Sequence, residues 1–271
     1  MKVKEALSAF DNDRRDAELL LLHCLGKEER SWLIANDSDE LPATVVQKFS
    51  LMSSQRLAGI PMAYLLGYRE FWSLKLVVTS DVLIPRPETE LLVEWALELA
   101  ARPGYQSLLD LGTGSGAIAL AVQNTLPALT VTACDVSQAA LDVAQENARA
   151  LQLPLELIQS SWFDALGQRR WSLIVSNPPY VAIDDTHLSE GDLRYEPEGA
   201  LTDGGDGLSS IREIAARAPD HLNPDGWLLI EHGYDQAADV RSILELNGFS
   251  DVRLRHDLAG RPRATGGCWR C

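Results

Sequence analysis

A short apolar run, Ser107-Leu-Leu-Asp110, leads without a break into Leu111-Gly112-Thr113-Gly114-Ser115-Gly116. Ile118, Ala121, Val122 and Thr125 then recur at helical spacing. Strand, glycine-rich turn and helix in that order make a βαβ-type nucleotide site, because glycines let a ligand approach the backbone closely where the helix begins. A phosphate-binding loop is excluded, since no Lys-Ser/Thr pair follows the glycines. The dinucleotide fingerprint needs Gly-x-Gly-x-x-Gly, whereas these glycines stand at 112, 114 and 116. The acidic Asp110 suits a cationic ligand without phosphate better than a diphosphate. A second strand pattern, Leu129-Thr-Val-Thr-Ala-Cys134, ends in Asp135. There a carboxylate can accept both hydroxyls of a ribose. An isolated Asp before a helix would be read as an N-cap; its place after a glycine turn favours the ribose.

A second constellation closes another apolar run. Trp171-Ser-Leu-Ile-Val-Ser176 reads as a buried strand and exits into Asn177-Pro178-Pro179-Tyr180. The two prolines fix φ and remove donors, and Pro179 holds Pro178 extended. What remains is an acceptor-rich edge, the Asn177 side-chain oxygen and the Pro178 carbonyl, with the Tyr180 ring beside it. That edge suits a planar NH2 group, gripped through both hydrogens while Tyr180 covers one face. Alone, the segment would be a proline-rich turn after a strand.

Around these motifs the chain alternates. Helix over 88–101, strands at 155–159 and 171–176, helix 208–220, strand 227–232, helix 236–247 and terminal strands predict a parallel, doubly wound α/β sheet. Residues 2–66 read as helical, with Ala17, Leu20, Leu21, Cys24 and Leu25 on one face of a helix over 14–25, and further helices near 28–36 and 42–58. Gly59 and Pro61 punctuate that bundle, and 68–84 reads as a short β-hairpin joining the two parts. The expected organisation is a helical bundle over 1–66, a hairpin linker over 67–86 and the α/β domain over 87–271. A long acidic stretch, 181–207, follows Tyr180 and is expected to close over a bound target together with the N-terminal bundle.

With 271 residues, the chain has room for one large and one small domain. No apolar run reaches the ~18 residues of a membrane span, and the N-terminus lacks an apolar signal core; the cytoplasm is the expected compartment. A net charge of −15 repels nucleic acid on average. A protein target is expected, and no direct nucleic-acid binding. Of the four cysteines, Cys24 and Cys134 sit in apolar patterns as core residues. Cys268-Trp-Arg-Cys271 lacks the second pair of a zinc site. The histidines show no ligand spacing, so no metal is expected; only His232, ending a strand, falls near the site.

Ile84-Pro-Arg-Pro-Glu-Thr-Glu90, Asp110-Leu-Gly-Thr-Gly-Ser-Gly116 and Asn177-Pro-Pro-Tyr180, in this order, resemble the HemK/PrmC family of protein-(glutamine-N5) methyltransferases. Arg69-Glu-Phe-Trp-Ser-Leu74, Arg194-Tyr-Glu-Pro197 and Leu229-Ile-Glu-His-Gly233 agree with the resemblance, which spans nearly the whole chain. It implies a mostly parallel, seven-stranded Rossmann-like methyltransferase sheet, with a small N-terminal helical domain for substrate recognition joined by a β-hairpin. The implied cofactor is S-adenosyl-L-methionine, and the implied substrate is the Gly-Gly-Gln glutamine of peptide chain release factors.

Laid on this sequence, the resemblance puts Gly112, Thr113, Gly114, Ser115 and Gly116 around the methionine part of the cofactor, Asp135 on its ribose and Trp162 against its adenine. Asn177, Pro178, Pro179 and Tyr180 then bind the glutamine, with Asn177, Pro178 and Tyr180 as the catalytic residues and Asn177 also at the cofactor. Ser161 stands where the family usually shows Asp, so a carboxylate contact to the adenine amine is in question. The glycine-rich Ala264–Cys271 is also unusual for a last strand. Two other substrates stay open: a ribosomal-protein glutamine and, more distantly, a nucleic-acid amino group.

Overall fold

The computed structural model describes residues 1–10, 13–189 and 191–270. Two compact units divide the chain, Met1–Tyr68 and Arg69–Cys271. Cys271 lies outside the described residues, so the Cys268–Cys271 pair has no structural account; Cys268 is a buried free thiol.

The first unit is helical: α1 (Val3–Ala9), α2 (Arg14–Leu25), α3 (Arg30–Ala35), α4 (Ala43–Leu57) and α5 (Met62–Leu66). Asp13 caps α2 by accepting from the Arg15 amide, and Gly26 ends it in the left-handed region. The stripe on α2 does what its spacing predicts: Ala17, Leu20 and Leu21 are buried against Val3, Leu33, Phe49 and Met52, with Cys24 at the margin.

The second unit takes in a hairpin of β1 (Tyr68–Phe71), whose first residue still belongs to the first unit, and β2 (Leu74–Val77). Its two-residue turn, Trp72-Ser73, has φ 51° and 59°, the left-handed pair that matches strand twist. The strands stop at Val77, so the second half of 68–84 is irregular chain rather than hairpin. Then follow α6 (Glu90–Ala100), β3 (Ser107–Leu111), α7 (Ala117–Thr125), β4 (Thr130–Asp135), α8 (Gln138–Leu151), β5 (Glu156–Gln159) and β6 (Trp171–Ser176). After these come α9 (Glu198–Leu201), α10 (Ser209–His221), β7 (Leu222–Glu231), α11 (Ala237–Leu246), β8 (Ser250–His256) and β9 (Pro262–Cys268).

The seven strands β3–β9 lie in the order β5-β4-β3-β6-β7-β9-β8. Strands β3 to β7 run parallel, and β9 pairs antiparallel with both β7 and β8. Period-two alternation splits the core. Leu108, Val131, Leu173, Val175 and Leu229 join α6 and α7 on one face. Leu109, Leu111, Cys134, Ile174, Leu228 and Ile230 join α10 and α11 on the other. The sheet is therefore doubly wound, mostly parallel and Rossmann-like.

Strand β7 begins at Leu222, before the expected 227: Leu222 pairs with Trp171, with a bulge before Leu173. Asn223-Pro-Asp-Gly226 has turn chemistry, and Asp225 stands at φ 61°, so the first half of the strand looks like a loop in sequence. The glycine-rich β9 is fully formed, and close packing explains its composition. A Cβ at Gly266 would come within 2.5 Å of Leu229 Cδ2 and 2.9 Å of the Trp95 ring. One at Gly267 would meet Phe249 at 2.8 Å.

Candidate active site

Strand order reverses between β3 and β6: β4 and β5 build outward on one side of β3, while β6 and β7 build on the other. In such sheets ligands bind beyond the carboxyl ends of the strands at this switch point. Register decides which residues meet there. Leu111 pairs with Ser176 of β6 and with Cys134 of β4, so Gly112, Asn177 and Asp135 leave three adjacent strands at one level. Ser176 Oγ donates to the Leu111 carbonyl at 2.9 Å, tying the two exits together.

A cavity of ≈ 310 Å³ opens at this point, lined by Gly112, Thr113, Gly114, Ser115, Asp135, Trp162, Asn177 and Pro179 among others. Asp81, Val82, Leu83, Arg86 and Thr89 line it too, as do Ser137 and Ser161. Gly116 lies outside the lining: it caps α7 at φ 83°, where a Cβ would meet Leu120 at 3.0 Å and Ala144 at 3.3 Å. Pro178 and Tyr180 are also absent from it.

Each wall of the cavity has its own cause. The Gly112 and Thr113 amides donate to the Cys134 carbonyl at 2.9 and 3.0 Å, which folds the glycine turn back over β4. Asp135 accepts from the Gly114 amide and from the Ser137 amide, both at 2.9 Å. Each of its oxygens keeps a lone pair, and the N-cap of α8 is Ser137 rather than Asp135. The Trp162 ring lies over Gly112, where a Cβ would stand 3.5 Å from it. Behind the turn, Asp110 is fully buried; its Oδ2 accepts from Thr113 Oγ1 at 2.6 Å and from the Ala119 amide at 3.3 Å. Its Oδ1 has no partner among the described residues. Burial pushes this carboxyl up to about 7, against the pull of those two bonds. The same burial, with Asp110 beside it, pushes the Cys134 thiol up to about 12, an inert core group.

These residues fit S-adenosyl-L-methionine. The turn offers backbone without side chains, Asp135 offers acceptors for a diol, and Trp162 offers a flat apolar face.

On the other wall, Asn177 Nδ2 donates to Thr89 Oγ1 at 3.1 Å. The amide is thereby oriented, and its Oδ1 is left to accept in the cavity that Asn177 lines. Tyr180 has a different setting from the one expected of it. Its phenol donates to Glu231 Oε1 at 3.4 Å, and its ring lines a second cavity with Arg86, Glu88, Asp192, Leu193, Glu231 and Arg263. Its backbone carbonyl accepts from Gln236 Nε2 at 3.0 Å. Burial first, then the neighbouring Glu231 charge, raise the Tyr180 phenol well above its usual range. His232 is buried beside this region, its Nδ1 2.7 Å from the Gly233 carbonyl and its Nε2 2.8 Å from Thr265 Oγ1. Its desolvation lowers its pKa.

The segment before α6 is fixed by an element far along the chain. Glu196, whose side chain has no exposed surface, accepts from Arg86 at 2.5 Å and from the Ile84 amide at 3.3 Å. Thr89, Glu196 and Glu231 carry the shape of this wall, yet sequence reasoning gave them no role. Their signal was the three short motifs that hold them, Pro-Arg-Pro-Glu-Thr-Glu, Arg-Tyr-Glu-Pro and Leu-Ile-Glu-His-Gly.

Comparison with known proteins agrees with this geometry. Residues 87–206 match the methyltransferase small domain family and residues 2–67 the PrmC N-terminal domain family. The chain is 49% identical to the release factor glutamine methyltransferase of Xylella fastidiosa (strain Temecula1), over 94% of this chain and 93% of that one. It is 47% identical to the protein of the same name from Bordetella pertussis, over 98% of both chains. A methyltransferase structure from Pyrococcus furiosus shares the fold, with a TM-score of 0.57, 17% identity, and coverage of 82% of this chain and 100% of that one. Near-complete alignment at that identity leaves one conclusion: the chain belongs to the release factor glutamine methyltransferase family.

Proposed function

We propose that this protein transfers a methyl group from S-adenosyl-L-methionine to the side-chain amide nitrogen of the glutamine in the Gly-Gly-Gln motif of peptide chain release factors. The observation that carries the reading is the meeting of the glycine turn, Asp135 and the Asn177 amide in one cavity at the switch point. Relatives that carry the release-factor name along their whole length supply the substrate class.

When bound, the cofactor supplies an electrophilic methyl on a sulfonium; the protein supplies alignment. Gly112, Thr113, Gly114, Ser115 and Gly116 shape the turn around the methionine part. Asp135 accepts from the ribose, and Trp162 covers the adenine. The target nitrogen is a poor nucleophile because its lone pair is delocalised into the carbonyl. Asn177 Oδ1 and the Pro178 carbonyl accept its two N–H groups, which aims the lone pair and favours pyramidalisation. This is positioning with preorganised dipoles. Attack by the nitrogen leaves an N-methylated amide cation, which is acidic enough to lose a proton to water, so no dedicated base is required. Pro179 stiffens the edge, and Tyr180 supports it from behind through Glu231. The helical residues 1–66 recognise the release factor.

The test is transfer of labelled methyl into purified release factor, with a Gln→Ala change in its Gly-Gly-Gln loop as control. Label on the wild-type factor alone is the expected result. Label on neither factor, with cofactor binding intact, overturns the substrate and directs the assay to ribosomal proteins.

A further inference from the structure

We propose that Asn147 is a positioning residue for the cofactor: its buried carboxamide ties the glycine turn to the chain leaving the hairpin, and so fixes the turn where it meets the methionine part. This role rests on the placement of S-adenosyl-L-methionine given above. Asn147 does not itself line the cavity and acts through Ser115, which does.

The turn is anchored residue by residue. The Gly112 and Thr113 amides donate to the Cys134 carbonyl, the Gly114 amide to Asp135, and the Gly116 amide to the Thr113 carbonyl at 2.9 Å. Ser115 is anchored through its carbonyl instead, and from another element. Asn147 Nδ2, on α8, donates to that carbonyl at 2.9 Å. Helix α8 lies close against the turn here, since a Cβ on Gly116 would meet Ala144, one helical turn before Asn147, at 3.3 Å.

The same carboxamide reaches Val77, the last residue of β2. It accepts from the Val77 amide at 2.6 Å and donates to the Val77 carbonyl at 3.0 Å, the two-point pairing that a neighbouring strand would make. Both N–H donors and the oxygen are thereby used, in a residue only 1% exposed. Asp, of the same shape, has no donor for the two carbonyls when ionised, and Leu can neither donate nor accept. An isolated two-stranded hairpin is marginal in water, so a buried pairing at its end steadies the chain beyond it. That chain is irregular, and its Asp81, Val82, Leu83 and Arg86 line the same cavity as Ser115. One amide therefore sets the spacing between two parts of the wall. Without it the cofactor must order the turn as it binds, which weakens affinity and leaves the chemical step alone.

The experiment uses the full-length protein as wild type, Asn147→Ala and Asn147→Asp, with Gly266→Ala in β9 as a destabilised control. Calorimetric titration gives Kd for S-adenosylhomocysteine and for adenosine, which lacks the amino-acid part. Kd for S-adenosylhomocysteine should rise about tenfold in both Asn147 variants, the scale of one buried hydrogen bond left unmade. Adenosine should change by less than about twofold, and so should kcat at saturating cofactor and release factor, while KM for the cofactor rises. Hydrogen exchange at the Val77 amide separates the two bonds: protection persists in Asn147→Asp, which keeps an acceptor, and falls in Asn147→Ala. Asn147→Asp, nearly unchanged in shape, also serves if the alanine variant does not fold. Gly266→Ala should leave Kd unaltered, since lost stability lowers the fraction of binding molecules and not the affinity of each folded one. An unchanged Kd in both Asn147 variants overturns the positioning role, as does equal weakening of adenosine or the same weakening in Gly266→Ala. Variants weakened as expected, in a protein that methylates no release factor, support the role and overturn the substrate instead.

Discussion

Asp110 shows how one buried side chain can couple a fold to pH. Desolvation lifts its carboxyl from 3.8 to about 7. A folded-state value above the unfolded one means that the stabilising contribution is complete below about 3.8 and is lost as pH rises through about 7. The wild type is therefore expected to lose stability as pH rises from about 4 to about 8, and Asp110→Asn should show less of that loss. Denaturant unfolding at several pH values checks this, and an unchanged pH slope in the variant would refute it. At the same scale, Asp135 was legible from its place after an alternating strand. Thr89 and Glu231 were not: in sequence they are an ordinary helix-start threonine and a strand-end carboxylate. Their meaning depends on contacts made across the fold: Thr89 accepts from Asn177, and Glu231 accepts from Tyr180.

Among the elements, β9 illustrates how composition can mislead without contradicting the fold. Two adjacent glycines lower strand propensity, and the terminal strand looked doubtful from its residues alone. The physical reason lies on neighbouring elements. Trp95 of α6 and Leu229 of β7 occupy the space a side chain at 266 would need, and Phe249 occupies that at 267. Gly266→Ala should destabilise the protein by about 1–3 kcal/mol, as overpacking of a dense core does. Denaturant unfolding measures this, and a change below about 0.5 kcal/mol would mean that β9 can slide. Strand β7 is the converse case, with its first half hidden by Asn223-Pro-Asp-Gly226, a turn sequence used to lead into a bulged strand. By contrast, β6 was read correctly to the residue, because all six of its side chains are buried and an unbroken apolar run has few other uses.

For the molecule as a whole, each compact unit has its own apolar core, one of helices and one built on both faces of the sheet. Among the described residues no helix is long and apolar enough to cross a membrane. If residues 1–66 serve substrate recognition, then a chain lacking residues 1–67 should keep its cofactor affinity within about twofold. It should also raise KM for intact release factor at least about tenfold, since remote contacts supply binding energy that chemistry draws on. Calorimetry and steady-state kinetics together decide this; unchanged KM would remove the recognition role.

The sequence alone determined the order of elements, the doubly wound class and the two motifs that end β3 and β6. These follow from local chemistry: apolar periodicity, glycines at a turn, and prolines that forbid further pairing. Tertiary structure decided what no local pattern encodes. The Leu111–Ser176 and Leu111–Cys134 registers bring Gly112, Asn177 and Asp135 to one level. Desolvation, which needs the whole core in place, raises Asp110 and Glu231. A long-range contact at 3.1 Å sets the Asn177 amide against Thr89. Hydrogen-bond direction and dielectric surroundings belong to the assembled fold, because each depends on partners that the chain brings together only when folded.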